Sequence, residues 1–300
     1  MKGSDCETMI TTALNHLLEK IHHLLAPTGK ACITCTRKTI LLPSHYGICS
    51  ACYKSIPWIL KPRCLRCGRS IGCPDCSRRD VEPFYFTMNR SAVYYNSLMK
   101  EWLSQYKYRG DERYEGLISG MLQQAYDSLV QEITSRGWYM KEKLAQRHTV
   151  AKTPFQQGRE PQHMWKPDVI TFVPVSEQRL VERGFNQARA IASKVGASRD
   201  VPVRDLLKRN YDSEKQSYKT RAQRLASMHD LFGVKVQEFQ SWLNHTYTTL
   251  GESARPISIL LIDDIYTTGS TLNACSRVLQ KAATAACVQV DVYGLTWARS

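Results

Sequence analysis

Three hundred residues, 43% hydrophobic and 23% charged, describe a globular chain able to bury a core, sized for one full domain plus a smaller module. The longest apolar runs are strand-sized, which argues against a helical membrane span. Lys and Arg outnumber Asp and Glu by 41 to 27, a formal +14 that favours polyanionic partners, either nucleic acid or phosphorylated small molecules.

The opening residues, MKGSDCETM, place acids early and lead into no apolar core of signal-peptide length, so a cytoplasmic protein is expected. Ile10, Leu14, Leu17, Leu18, Ile21, Leu24 and Leu25 recur at helical spacing, predicting an amphipathic helix within residues 1–29 that Pro27 and Gly29 terminate.

Residues 30–80 carry four Cys-x-x-Cys pairs: Cys32 with Cys35, Cys49 with Cys52, Cys64 with Cys67, and Cys73 with Cys76. Each pair sets two thiolates on one tight turn, and two such turns complete a tetrahedral zinc site. Eleven cysteines without an export signal favour metal ligation under reducing conditions over a disulfide framework. The expectation is a zinc-ribbon module with two structural Zn2+ ions, each fully ligated by cysteine and so without a place for catalytic water. Spacing leaves the pairing open, either sequential or interleaved. Arg63, Arg66, Arg69, Arg78 and Arg79 offer this module a polyanion contact.

From residue 81 to 300 the pattern changes. Ala92–Tyr95 reads as a short strand, Leu98–Tyr108 as a helix, and Arg113–Ile133 as a second helix facing Leu117, Ile118, Met121, Leu122, Tyr126, Leu129 and Val130 inward. Periodicity is lost over 137–166, which reads as a polar insertion. Asp168–Val175 is a continuous apolar, β-branched run, the pattern of a strand covered on both faces. A loop at Pro174–Ser176 follows, then a single helix over Gln178–Val195. Strand, loop, helix and strand in alternation predict an α/β fold with a parallel sheet. In residues 208–224, KRNYDSEKQSYKTRAQR, six of seventeen are Lys or Arg, a basic segment too polar for a core. Residues 234–256 read as a second polar insertion, and Cys287–Trp297 as a final strand.

The densest signal is Ile257–Leu272, ISILLIDDIYTTGSTL. A buried-strand run feeds Asp263 and Asp264, then a hydroxyl- and glycine-rich turn, then helical spacing. Backbone N–H groups and the positive end of the following helix suit a phosphate, while carboxylates at the strand end accept hydrogen bonds from sugar hydroxyls. Gly269 lets the backbone approach the phosphate closely. The absence of GxxxxGK[ST] and of GxGxxG excludes a nucleoside-triphosphate P-loop and indicates no dinucleotide fold.

Asp-Asp-x-Tyr-Thr-Thr-Gly-Ser-Thr resembles the signature of type I phosphoribosyltransferases. The resemblance implies a phosphoribosyltransferase-like sheet binding 5-phosphoribosyl-1-pyrophosphate with Mg2+. Asp263 and Asp264 would take the ribose hydroxyls, and Thr267, Thr268, Gly269, Ser270 and Thr271 the 5-phosphate. The whole layout, Cys-x-x-Cys pairs ahead of such a domain, is similar to the ComF family, linked to competence and uptake of DNA in transformation. The likeness includes Tyr106-Lys-Tyr-Arg-Gly-Asp111, Val173-Pro-Val-Ser176, Arg183-Gly-Phe-Asn-Gln187, and Gln216 through Arg224 to Phe232. This chain has Ser227 and Asp230 where the family carries Asn and Gly.

On that resemblance Pro174, Val175, Ser176, Arg179 and Arg183 are candidates for a pyrophosphate loop. Lys208, Arg209, Lys219, Arg221 and Arg224 are candidates for a basic flap. The family also implies single-stranded DNA, and a DNA-uptake helicase or another competence protein, as partners. No catalytic acid or base and no base-recognition pocket is identifiable from the sequence. A ribose-phosphate-binding DNA-handling factor and an active transferase both fit, as does an adaptor whose zinc ribbon and N-terminal helix dock a partner.

Overall fold

The computed structural model describes residues 29–77, 83–108, 111–148, 164–210, 231–250 and 255–300. The helix expected over 7–25, Arg78, Arg79, and the flap residues Lys219, Arg221 and Arg224 lie outside them. The chain divides into two compact units, Met1–Ile56 and Pro57–Ser300.

In the first unit, β1 (Lys30–Ala31) pairs antiparallel with β2 (Lys38–Thr39), and a single helical turn, α1 (Ser50–Lys54), follows. Cys49 caps that turn, its sulfur accepting from the Cys52 N–H. His45 stacks on Tyr53 at 4.1 Å, and Ile48 beneath is wholly buried.

The second unit opens with α2 (Pro74–Ser77) and then builds a parallel sheet from β3 (Met88–Tyr94), β4 (Val169–Phe172), β7 (Ile257–Tyr266) and β8 (Val290–Arg299). The spatial order is β3-β8-β7-β4. Two edge segments extend it, Trp58 bridging Val93 antiparallel and Val203 bridging Ile170 in parallel. Ile259, Leu260, Leu261 and Ile262 are all fully buried, as an unbroken apolar run requires when both faces are covered.

Side-chain alternation splits that strand between two layers. Ile257, Ile259 and Leu261 share a core with α8 (Ser270–Ala285), with β5 (Leu207–Arg209) and β6 (Phe232–Val234), and with α7 (Val236–Leu250). Between β3 and β4 run α3 (Ser97–Tyr108), α4 (Glu112–His148) and, after β4, α5 (Glu177–Arg183) and α6 (Gln187–Arg199). α4 packs on β3 and β8, and α6 on β4 and β7. Arg90 of β3 is buried against α4, where the two oxygens of Glu132 accept from its Nε at 2.6 Å and its terminal nitrogen at 2.5 Å.

Several boundaries differ from expectation for identifiable reasons. The single helix expected over Gln178–Val195 is two: Gly184, at φ +77, ends α5 in the left-handed conformation, and Asn186 accepts from the Arg189 N–H to start α6. Residues 234–256 are more than a polar interruption. They contain α7, which buries Phe239, Trp242 and Leu243 in a sequence otherwise rich in Gln, Asn and Thr. The helix expected to stop at Ile133 continues to His148, into the 137–166 segment. β7 also runs on past the two acids to Tyr266, because β8 keeps pairing with it as far as Arg299. Among the described residues no helix is long and apolar enough to cross a membrane.

Candidate functional site

The eight cysteines of the Cys-x-x-Cys pairs gather as two tetrads, Cys32, Cys35, Cys49 and Cys52, and Cys64, Cys67, Cys73 and Cys76, each with its sulfurs within 4.8 Å of one another. The pairing is therefore sequential, first with second and third with fourth. Tetrahedral zinc at a Zn–S length of about 2.3 Å implies sulfur–sulfur edges of about 3.8 Å. Cys35 and Cys49 lie 3.8 Å apart and Cys67 and Cys73 3.3 Å apart, so the donor sets fit the metal. The thiols within a tetrad are pulled in opposite directions. Burial pushes Cys52 up to about 12, whereas Cys32, though also desolvated, is brought down to about 6 by the N–H groups of Cys35 and Cys49. Four crowded sulfurs cannot all carry charge unless a cation is present.

Asp263 and Asp264 stand toward the carboxyl end of strand β7. Their roles as acceptors are already engaged. The Asp264 N–H donates to Asp263 Oδ1 at 2.8 Å, and Lys107 of α3 forms an ion pair with the Asp264 carboxylate. Burial, then the neighbouring Asp264 charge, push the Asp263 carboxyl up to about 8, against the pull of the Asp264 N–H and Lys107. Thr296 of β8 faces Asp263 in register, and its Oγ1 lies 2.6 Å from Ser91 Oγ on β3. The row Ser91–Thr296–Asp263 thus crosses three strands.

The hydroxyl turn follows without a break. Gly269 sits at φ +84, and a Cβ there would come within 2.2 Å of the Tyr266 hydroxyl, so both the backbone conformation and the space demand glycine. Ser270 is the first residue of α8. Its N–H points to Thr268 Oγ1 at 3.4 Å, and the two hydroxyl oxygens lie 3.0 Å apart. Thr267 and Thr271 line the same small depression as Asp263, Gly269 and Thr296. Carboxylates, hydroxyls and the start of a sixteen-residue helix are thereby brought to one strand end.

The neighbouring strand end supplies a second wall. The pair Phe172–Ile262 is in register, and Pro174 and Val175 follow just beyond Val173. They border a cavity of about 510 Å³ whose rim includes Phe185, Arg189, Lys208, Arg209 and Lys235. Pro174, Val175, Lys208 and Arg209 therefore line one cavity, although Val175 and Lys208 are 33 positions apart. Ser176 caps α5, accepting from the Arg179 N–H at 3.3 Å, which leaves the Arg179 side chain on the exposed face of that helix. Arg183 is occupied otherwise: it donates to the Tyr108 hydroxyl at 3.3 Å, stacks on that ring at 5.1 Å, and donates to Gln187 Oε1 at 3.1 Å. Tyr106 meets Phe185 edge-on at 5.3 Å. Tyr106 and Tyr108 thus meet Phe185 and Arg183, distant in sequence, on either side of the Lys107 that pairs with Asp264.

Lys107, Tyr266, Thr296 and Arg299 escaped sequence reasoning as site residues. Lys107 had a local signal, its position inside Tyr106-Lys-Tyr-Arg-Gly-Asp111, and Tyr266 another, as the tyrosine of Asp-Asp-x-Tyr-Thr-Thr; Thr296 and Arg299 are strand residues whose role depends on register.

No family model matches the chain. It is 29% identical over 259 residues to Competence protein ComFC of Bacillus subtilis, covering 84% of this chain and 85% of that one. It is 25% identical to Competence protein ComFC of Streptococcus pneumoniae, covering 86% and 93%. A shorter match, 31% identical, reaches Competence protein F of Haemophilus influenzae over 43% of this chain and 50% of the relative. Over most of its length the chain is thus similar to relatives that share this name, a likeness to which the four Cys-x-x-Cys pairs and the Asp-Asp-to-Thr271 turn add.

Proposed function

We propose that this chain is a competence-associated protein that binds 5-phosphoribosyl-1-pyrophosphate, or a related ribose phosphate, and handles single-stranded DNA during transformation. The observation that carries the reading is the Asp263–Asp264 pair, countered by Lys107 and followed at once by the glycine-pinned hydroxyl turn at the head of α8. The carboxylates would accept from the ribose hydroxyls, while Thr267, Thr268, Ser270, Thr271 and the adjoining N–H groups would donate to the 5-phosphate. Mg2+, when bound with the pyrophosphate, would supply charge neutralisation of that group.

The competence role draws on the names of the relatives, and DNA contact draws on surface chemistry. Around the second tetrad Arg63 and Arg66 are exposed beside exposed Leu60, Leu65 and Ile71. Cations interleaved with apolar side chains suit a flexible single strand.

Calorimetry with phosphoribosyl pyrophosphate and Mg2+ tests the pocket. Binding is expected for the native chain and lost in Asp263→Asn/Asp264→Asn. Fluorescence anisotropy with single-stranded DNA across a salt series tests the second half, with affinity expected to fall steeply as salt rises. Salt-insensitive or undetectable DNA binding at low ionic strength would remove it.

An active transferase, passing ribose 5-phosphate to a nitrogenous acceptor such as a nucleobase, is favoured by one observation, the 510 Å³ cavity beside the donor loop. Its Phe172 and Phe185 would flank a planar ring, and its basic rim would stabilise departing pyrophosphate. Pyrophosphate release in the presence of a nucleobase panel separates the readings: silence with intact donor binding leaves the binding role alone.

A further inference from the structure

The second cysteine tetrad is packed into the same core that supports the phosphate turn. Cys67 and Cys73 belong to one buried cluster with Phe86, Tyr266, Leu272 and Ala274. A ladder of rings runs between them: the Arg66 guanidinium lies 4.4 Å from the Phe84 ring, Phe84 meets Phe86 edge-on at 5.5 Å, and Phe86 meets Tyr266 edge-on at 6.3 Å. Tyr266 is the residue against which Gly269 is pressed. The segment carrying the rings is also tied to the head of α8. Asn273 Oδ1 accepts from the Tyr85 N–H at 2.7 Å, and its Nδ2 donates to the Pro83 carbonyl at 3.0 Å.

One cation joins both ends. Arg299, only 2% exposed, lies 4.6 Å over the Tyr266 ring and donates through one terminal nitrogen to the Thr267 carbonyl at 3.3 Å. Its Nε has no hydrogen-bond partner among the described residues, and its positive charge acts on the Cys67 sulfur. An arginine fully withdrawn from water needs compensating negative charge. The thiolates of a loaded tetrad provide it, four sulfur anions around a dication leaving a net charge of about −2.

We propose that Arg299 and Tyr266 couple the Cys64–Cys67–Cys73–Cys76 metal site to the Thr267–Thr271 turn, so that metal in the first strengthens binding of a phosphate-bearing ligand in the second. The proposal rests on the phosphate reading of that turn. With the tetrad filled, Arg299 is held by the sulfur charge, the ring ladder is fixed, and Gly269 meets a rigid Tyr266; the turn is then formed before the ligand arrives. With the tetrad empty, that ordering must be supplied by ligand binding itself. Arg299 acts through the turn and is a positioning residue.

Linkage makes the effect reciprocal, and cobalt(II) makes it visible. In full-length protein loaded with cobalt, saturating ribose 5-phosphate is expected to shift the cobalt–thiolate absorption and to tighten cobalt about 5-fold in chelator competition. The same shift is expected in Cys49→Ser, which lacks the other tetrad, and it should vanish in Arg299→Met while Arg299→Lys retains part of it. Ribose 5-phosphate binding with unmoved cobalt spectra and unchanged cobalt affinity overturns the coupling alone. Absence of ribose 5-phosphate binding by the loaded native protein overturns the phosphate reading and the proposal with it. Hydrogen exchange needs no ligand. Amides of residues 266–273 are expected to exchange faster in stripped protein than in loaded protein, and equal protection would overturn the coupling whatever the ligand result.

Discussion

Asp263 is held protonated more readily than an ordinary carboxyl, and this has a signed consequence. Its folded value, about 8, lies above the unfolded value near 4, so between these limits the folded chain binds the extra proton. Stability contributed at low pH is therefore lost as pH rises from about 4 to about 8. Urea midpoints across that window should fall for the native protein and flatten in Asp263→Asn. Lys107→Met should extend the fall to higher pH, its onset unchanged, because it removes the cation that favours the charged form. Two glycines offer a second comparison at this scale. Both Gly184 and Gly269 have positive φ, but a Cβ at Gly184 would meet nothing within 4 Å. Gly184→Ala should cost only the backbone strain, about 1 kcal/mol. Gly269→Ala adds collision with the Tyr266 ring, so a larger drop in thermal midpoint and a weakened sugar-phosphate affinity are expected together.

Among the elements, α7 shows what sequence patterning conveys and what it conceals. Its Phe239, Trp242 and Leu243 lie at helical spacing, yet the Gln, Ser, Asn, His and Thr around them dominate the composition and mask the stripe. Trp242→Ala should cost about 3–5 kcal/mol in chemical denaturation, as expected for an aromatic removed from a packed core. A neutral result would mean that the segment is a dispensable insertion. The strand that carries Asp263, the turn and α8 were legible, because a fully buried strand is a run of Ile and Leu and because the turn's residue types follow from its chemistry. The split between α5 and α6 was legible in principle, since Gly184 and Asn186 are a helix stop followed by a cap; arginines on both sides gave an appearance of continuity. The meeting of Lys107 with Asp264, and of Arg299 with Thr267, was not legible. The first depends on where α3 packs and the second on strand register, and no local pattern records which element lies beside which.

At the scale of the molecule the two tetrads belong to different compact units, since the division falls at Ile56–Pro57, between the second and third Cys-x-x-Cys pairs. Loss of one metal should therefore be separable from loss of the other. Cys49→Ser is expected to release about half of the bound zinc while the thermal transition of residues 57–300 and sugar-phosphate binding persist. Metal analysis, calorimetric scanning and a binding isotherm on the same sample check this. Collapse of all three together would show that the first unit is required for the second to fold.

The order β3-β8-β7-β4 has a further consequence, in time rather than in space. β8 lies between β3 and β7, and Met88 pairs with Tyr293. β4 and β7 can pair as soon as residue 266 has been made, but β3 has no strand neighbour in the main sheet until residues 290–299 appear, some two hundred positions after it. Closing so long an interval is entropically slow, and it leaves β3 without its sheet partner in every shorter chain. The carboxylate row Ser91–Thr296–Asp263 and the Arg299 contact both arrive with that last-placed strand. A chain interrupted before residue 290 would thus carry the whole recognisable Asp-Asp-to-Thr271 turn and still lack the central strand that supports it.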